Sequence, residues 1–308
     1  MKKLGLVLAL LGLVLAMSVA QPVQTQAVSG PSVSGKDSLG TIVTLKAEAR
    51  RVVSLAPAVT EVLFAVGAGD RIVGNTTYCD YPADAKSIEK IGGFSAKSMS
   101  IEKIISLKPD LVISSGNIHK PVTDELVRYG IPVFAYAPNT FEEIARDIQA
   151  IGVLVGKAQK AQSVVTSMLD SIAFVQKKVD AIPSDQRLTV FWEVYDSPLM
   201  TCGAATFQHA LVQAAGGIDI FSDLPGFWPK VSAEEVIKRA PQVIMGAEDH
   251  GDAMSIELIA KRPGWSQIPA VKNGRIILLP SGVVSRPSPR LADGVLMAAR
   301  ALYPALFH

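Results

Sequence analysis

Short apolar runs alternate with helical patterns along most of this chain. Arg51 to Leu55 is a brief β-branched run, Thr60 to Val66 a helix closed by Gly67 and Gly69, and Arg71 to Gly74 a second strand. Leu111 to Ser114 and Pro132 to Tyr136 repeat the theme. Strand, helix and strand in this rhythm predict a parallel sheet with helices on both faces. From Phe141 the pattern changes, and no proline occurs again before Pro183. Its spacing predicts one helix from Phe141 to Val155 and a second from Lys157 to Val179, with an apolar stripe at Val164, Met168, Ile172, Val175 and Val179. A second half then uses the same alphabet: strand Leu188 to Val194, helix Thr206 to Ala215, strands Gln242 to Met245 and Arg275 to Leu279, and a last helix from Arg290 to Leu302. The expectation is an α/β lobe at 41–155, a connecting helix at 156–182 acting as a stiff strut, and a second α/β lobe at 183–308.

The N-terminus departs from this rhythm. Lys2 and Lys3 precede an apolar run from Leu4 to Met17, which ends in Ser18-Val19-Ala20. This reads as a secretory signal at 1–20, its apolar run shorter than the roughly 20 residues a membrane span needs. No cysteine follows it, which points to a free, periplasmic protein with no lipid anchor. Residues 21–40, rich in Ser, Gln, Gly and Val, read as a flexible leader, with order beginning near Thr41. Removing the signal takes away two lysines and no acid, so a net charge of +2 becomes zero. A neutral protein is a poor partner for nucleic acid or anionic lipid. The two cysteines, Cys79 and Cys202, cannot build a disulfide framework and are expected to be buried thiols.

The two halves share a local signature. Ser100-Ile101-Glu102-Lys103-Ile104-Ile105 precedes Pro109-Asp110-Leu111-Val112-Ile113, and Ser232-Ala233-Glu234-Glu235-Val236-Ile237 precedes Pro241-Gln242-Val243-Ile244-Met245. Serine, glutamate, isoleucine and proline all recur at an offset of 132 residues. In each copy the serine caps a short helix and the glutamate sits in its first turn, where an acid stabilises the helix dipole by about 0.3–1 kcal/mol.

In order along the chain, Arg51 to Glu61, Tyr78-Cys79-Asp80-Tyr81-Pro82, Ile91-Gly92-Gly93-Phe94, Ser100 to Ile113 and Ser285-Arg286-Pro287-Ser288-Pro289-Arg290 resemble the periplasmic binding proteins of ABC importers for cobalamin, haem and ferric siderophores. The resemblance covers roughly residues 41 to 305. It implies two Rossmann-like lobes with parallel central sheets, joined by one long rigid α-helix, with a ligand cleft between them. It also implies a monomer that delivers a small-molecule chelate to a permease dimer with its ATPase subunits. Glu102 and Glu234 match the family's surface glutamates that dock onto the two permease subunits.

Ligands of open α/β sheets sit beyond the carboxyl ends of the strands. That rule nominates Ala56, Pro57, Tyr78, Phe94 and Ser115 in the first half, and Tyr195, Leu199, Met200, Trp228 and the turn from Ser281 to Arg286 in the second. By resemblance to the cobalamin receptors, Tyr78, Phe94 and Trp228 fall on aromatic positions that touch the corrinoid. Ser115 and Val284 stand where those receptors can carry tryptophan, so the aromatic cage is thinner here. Arg286 either meets an anionic ligand group or pairs with an acid. A corrinoid is the expected cargo. Haem would need an axial ligand from Tyr78, Tyr195, His119 or Met200, and a siderophore would call for several cleft arginines.

Enzymatic readings find little support. Gly152 to Gly156-Lys157-Ala158 has three residues between its glycines where a phosphate loop has four, and an alanine where Ser or Thr would hold magnesium. The four histidines, His119, His209, His250 and His308, lack metal-ligand spacing. No catalytic residue, resident cofactor or metal site is expected.

Overall fold

In the central strands the side chains alternate between two apolar environments. In this computed structural model, which describes residues 31–249 and 254–307, Val52, Leu111 and Ile113 face one core, while Val53 and Val112 face another. The second half repeats the rule: Val190, Trp192, Val243 and Met245 face the first core, and Phe191 and Ile244 a third. Strands buried on both faces read as unbroken apolar runs, which is why they were legible as parallel strands.

The first lobe holds an antiparallel hairpin of β1 (Val33–Lys36) and β2 (Ile42–Leu45), followed by β3 (Val52–Ser54), α1 (Pro57–Ala65), β4 (Ile72–Asn75), α2 (Ile101–Ser106), β5 (Leu111–Ser114), α3 (Lys120–Arg128), β6 (Val133–Ala135) and α4 (Phe141–Leu154). Its sheet is all parallel, in the order β4-β3-β5-β6. Helix α5 (Ala158–Val179) follows. The second lobe comprises β7 (Thr189–Asp196), β8 (Leu199–Thr201), α6 (Phe207–Ala214), β9 (Ile218–Asp219), α7 (Ala233–Arg239), β10 (Val243–Ala247), α8 (Ile256–Ala260), α9 (Pro269–Lys272), β11 (Ile276–Leu279), α10 (Ser281–Val284) and α11 (Leu291–Leu302). Its sheet runs β11-β10-β7-β8, with β9 also on β7. All pairs in it are parallel except β7 with β8.

Helix α5 is 22 residues long, about 33 Å at 1.5 Å per residue. It buries Ala161, Val165, Met168, Ile172, Val175 and Val179 at alternating steps of four and three. Val165, and not Val164, carries the stripe at its start; Val164 is partly buried beside it. These residues belong to one continuous core that includes Val59, Leu63 and Ile148 of the first lobe and Leu211, Trp192 and Val295 of the second. The helix is therefore a shared wall of both lobes.

Two expectations need correction. Order begins before Thr41: β1 lies inside the stretch read as a leader, and its Gly35 packs against Ala150 of α4. Asp37 and Ser38 then tie the hairpin tip to α4 and to the end of β6, with Ser38 donating to the buried Asp147 carboxylate of α4 and Asp37 accepting from the amide of Ala135. Strand β8 was not anticipated, because three residues after Ser197-Pro198 are too short to show a period. The signal at 1–20 and residues 21–30 lie outside the described residues. His250 and His308 lie outside them as well.

The shared core predicts that the lobes unfold together. All three tryptophans, Trp192, Trp228 and Trp265, belong to the second lobe, whereas far-ultraviolet circular dichroism reports on both. Ile172→Ala should cost about 2–5 kcal/mol. Denaturant curves by fluorescence and by circular dichroism should shift by the same amount and still coincide.

Candidate functional site

The order β4-β3-β5-β6 reverses direction between β3 and β5, so the connections leaving their carboxyl ends run to opposite sides and leave a crevice. A cavity of about 680 Å³ opens there. The first lobe lines it with Ala56 and Pro57 after β3, Ser115 after β5, and Tyr78, Phe94, Ser95, Ser98 and Tyr136. The second contributes Ser281, Ser285, Arg286 and Pro287, all beyond β11. A groove of about 700 Å³ on the α5–α11 flank is of similar size. Among the described residues its lining comes from α5 and α11 alone, away from the strand ends, with Phe174 as the one aromatic ring, so the crevice is the better ligand site.

Of the nominated residues, Ala56, Pro57, Tyr78, Phe94, Ser115, Ser281, Ser285 and Arg286 meet in this cavity. Tyr78 is 60% exposed and free to cover a ligand face. Tyr195 and Trp228 do not line it; they are 40% and 47% exposed. Tyr195 sits within the β7–β8 hairpin, opposite Met200, and Met200 bridges in turn to Lys230. The unanticipated β8 thus converts what read as an open loop after β7 into paired backbone. Val284 is buried, in contact with the core and not the cavity.

His119 holds two of the cavity walls. Buried at the start of α3, its Nδ1 accepts from the amide of Ser115 at 3.0 Å, which leaves Nε2 to donate to the Phe94 carbonyl at 2.9 Å. The Phe94 ring also packs edge-on against the imidazole, with centroids 5.1 Å apart. Both ring nitrogens are committed to backbone, so His119 offers no electron pair to an iron. On the same wall, Gly92 has φ +122, and a Cβ there would lie 2.1 Å from the Ser98 carbonyl oxygen. Only glycine allows that approach.

Beneath the cavity the lobes are joined by charge. Glu61 on α1 is 3% exposed, and its carboxylate accepts from Arg286 Nη1 at 2.8 Å, Ser288 Oγ at 2.6 Å and Arg290 Nη1 at 3.2 Å. Arg286 Nη1 also donates to Asp80 at 2.7 Å, and the Arg290 guanidinium lies 3.8 Å from the centroid of the Tyr81 ring. Partial burial pushes the Asp80 carboxyl up, but the hydrogen bond and charge of Arg286 outweigh it and hold the group below the usual aspartate value. Tyr136 adds a neutral tie, its hydroxyl donating to the Pro287 carbonyl at 2.5 Å. Burial, with Asp147 and Glu61 nearby, pushes that phenol well up, so it stays a donor. Of this network sequence reasoning found Arg286 alone. The available signal was Glu61, an acid within the apolar run from Pro57 to Ala65, since a buried carboxylate requires partners.

The glutamate pair also has matched geometry. Ser100 Oγ accepts from the amide of Lys103 at 3.2 Å and Ser232 Oγ from that of Glu235 at 3.1 Å. The equivalence extends past the helices. Lys108 and Ala240, again 132 apart, both adopt left-handed backbone, at φ 48 and 46. Asp110 then accepts from the amides of Arg50 and Arg51, and Gln242 from that of Thr189, so each copy caps the start of the neighbouring strand. In both copies the residue after the glutamate is sequestered: Lys103 pairs with Glu89, and Glu235 with Arg239 at 2.9 Å. Glu102 and Glu234 are left exposed. Hydrogen bonds from its own amide and from Ser232 hold the Glu234 carboxyl below its ordinary value.

Burial lowers the affinity of His119 for a proton, partly offset by its bond to the Phe94 carbonyl. An unfolded histidine takes up a proton near pH 6.5, whereas the folded one resists to lower pH. Stability should therefore fall as pH drops below about 6.5 toward the folded value. His119→Gln should remove that segment of the pH profile, measured by denaturant midpoint.

Residues 52–283 match the periplasmic binding protein family. The chain is 34% identical over 270 residues to an uncharacterized ABC transporter substrate-binding lipoprotein of Bacillus subtilis (strain 168), covering 86% of this chain and 83% of that one. It is 33% identical over 219 residues to the vitamin B12-binding protein of Yersinia pestis (strain Pestoides F), covering 70% and 76%. Among solved structures, the periplasmic heme-binding protein of Roseiflexus sp. RS-1 superimposes with a TM-score of 0.74 at 25% identity, over 83% of this chain and 99% of that one. Fold, switch-point cavity and sequence agree: the chain belongs to the periplasmic binding protein family of ABC importers for vitamin B12, haem or iron.

Proposed function

We propose that this protein captures a corrinoid, cobalamin foremost, in the crevice between its lobes and delivers it unaltered to an ABC permease dimer driven by ATPase subunits. The observation that carries this reading is the chemistry of the cavity. Aromatic faces at Tyr78 and Phe94 stand beside five serine hydroxyls, from Ser95, Ser98, Ser115, Ser281 and Ser285. Among the described residues Arg286 is the one lining cation, and it is already paired with two carboxylates. A flat macrocycle fringed with neutral amides suits aromatic faces and hydroxyls. Carboxylate-rich siderophores would instead need free cations. A haem would rest on Tyr78 as its axial ligand, because His119 is committed to backbone.

Delivery is assigned to Glu102 and Glu234. One exposed carboxylate on each lobe, at the same point of a repeated cap–helix–strand unit, suits two equivalent permease subunits. The reading includes export by a cleaved signal at 1–20 and action as a periplasmic monomer.

Two measurements test it. Titration of the purified protein with cobalamin and with haem, followed by absorption, should give stoichiometric cobalamin that survives gel filtration chemically unaltered. A haem spectrum that is lost in Tyr78→Phe would replace the corrinoid with haem. Charge reversal at both glutamates, Glu102→Arg with Glu234→Arg, should abolish uptake in cells while the ligand Kd stays within about twofold, since rim charges act on encounter with the partner. A large loss of ligand affinity would sink the docking assignment.

A further inference from the structure

Arg286 enters the cavity with its charge already matched. The same Nη1 donates to Glu61 and to Asp80, both from the opposite lobe. Two carboxylates and two guanidiniums, Glu61 and Asp80 with Arg286 and Arg290, cancel within this cluster, and hydroxyl, aromatic and aliphatic groups make up the rest of the cavity lining. We propose that Glu61 and Asp80 are the charge-selectivity determinants of the cleft: by saturating Arg286 they keep it electrically neutral and reject cargo that presents carboxylate groups. The proposal rests on this crevice being the ligand site.

The two acids play different parts. Glu61 is buried and has three donors, so an incoming anion that drew Arg286 away would leave a buried carboxylate underpaired, a costly exchange in a low-dielectric site. Arg290 gives little relief, since it is held over the Tyr81 ring and reaches Glu61 at 3.2 Å. Glu61 therefore positions Arg286 and keeps it from being captured. Asp80 is exposed and its carboxylate bonds Arg286 from the rim, so it is the replaceable member that sets the net charge seen from the cavity. Removing it leaves Arg286 in place, with one positive charge uncancelled beside the ligand.

Haemin and its dimethyl ester share one macrocycle and differ in two carboxylates, so the ratio of their affinities reads charge selection whichever chelate is the physiological cargo. Wild-type protein should show no preference for the dicarboxylate. Asp80→Asn, a surface change, should shift the ratio toward haemin by at least about tenfold, and the gain should shrink as salt is raised. Glu61→Gln should shift it the same way if its circular dichroism stays native; should it fail to fold, Asp80→Asn decides alone. An unchanged ratio in folded Asp80→Asn, or no binding of haemin by that variant, overturns the proposal. Failure of the wild type to retain cobalamin counts against the corrinoid reading and leaves the charge-selection result to be read independently.

Discussion

The apolar stripe of α5 has to be buried twice. Six residues at steps of four and three make one continuous face, and neither lobe alone covers it: α4 closes it from one side, and α6 and α11 from the other. Each central strand turns every second side chain toward this common core, so the two sheets are indexed to the same helix. The second face of each sheet is free to build its own smaller core. Because the wall is shared, relative movement of the lobes must repack apolar surface, which protein interiors resist.

Charge reinforces the same constraint nearer the cavity. The Glu61 carboxylate could not remain buried on α1 unless the second lobe supplied Arg286, Ser288 and Arg290. The turn from Ser285 to Arg290 is consequently drawn against the first lobe, and Tyr136 fastens its middle through Pro287. One set of contacts thus joins the lobes and forms the cavity floor. On the facing wall a single neutral imidazole fixes Ser115 and Phe94 through backbone bonds, so the ligand crevice is shaped by groups that do not themselves touch it.

The repeated unit shows how far sequence periodicity reaches. Serine, glutamate and proline at an offset of 132 gave the matched helices, and the structure adds a left-handed residue before each proline and a strand-capping side chain after it. Neither Lys108 nor Ala240 advertises that backbone, because left-handed conformations are ordinarily signalled by glycine or asparagine. The neighbour of each glutamate finds an ionic partner of its own, which separates Glu234 from Glu235 where the sequence shows two adjacent acids.

Local order was legible because it rests on local rules. Buried strands such as Leu111–Ser114, the long helix to Val179 and the serine caps follow from periodicity and capping chemistry that act over a few residues. From these, and from motif order, the α/β class, the two halves, the strut and the position of Tyr78, Phe94, Ser115 and Arg286 were available. The hairpin β1–β2 and the short β8 were not, since each depends on a partner surface for its order. With β8 went the placement of Tyr195 and Trp228, which read as cleft residues and stand outside the cavity. Sequence by itself determined the buried parallel strands, the longer helices and the kinship of the two halves. Only the tertiary structure decided that Arg286 meets Glu61, 225 residues away, and that His119 spends both nitrogens on backbone. Pairing energies between distant groups depend on burial and distance, and neither exists until the chain has folded.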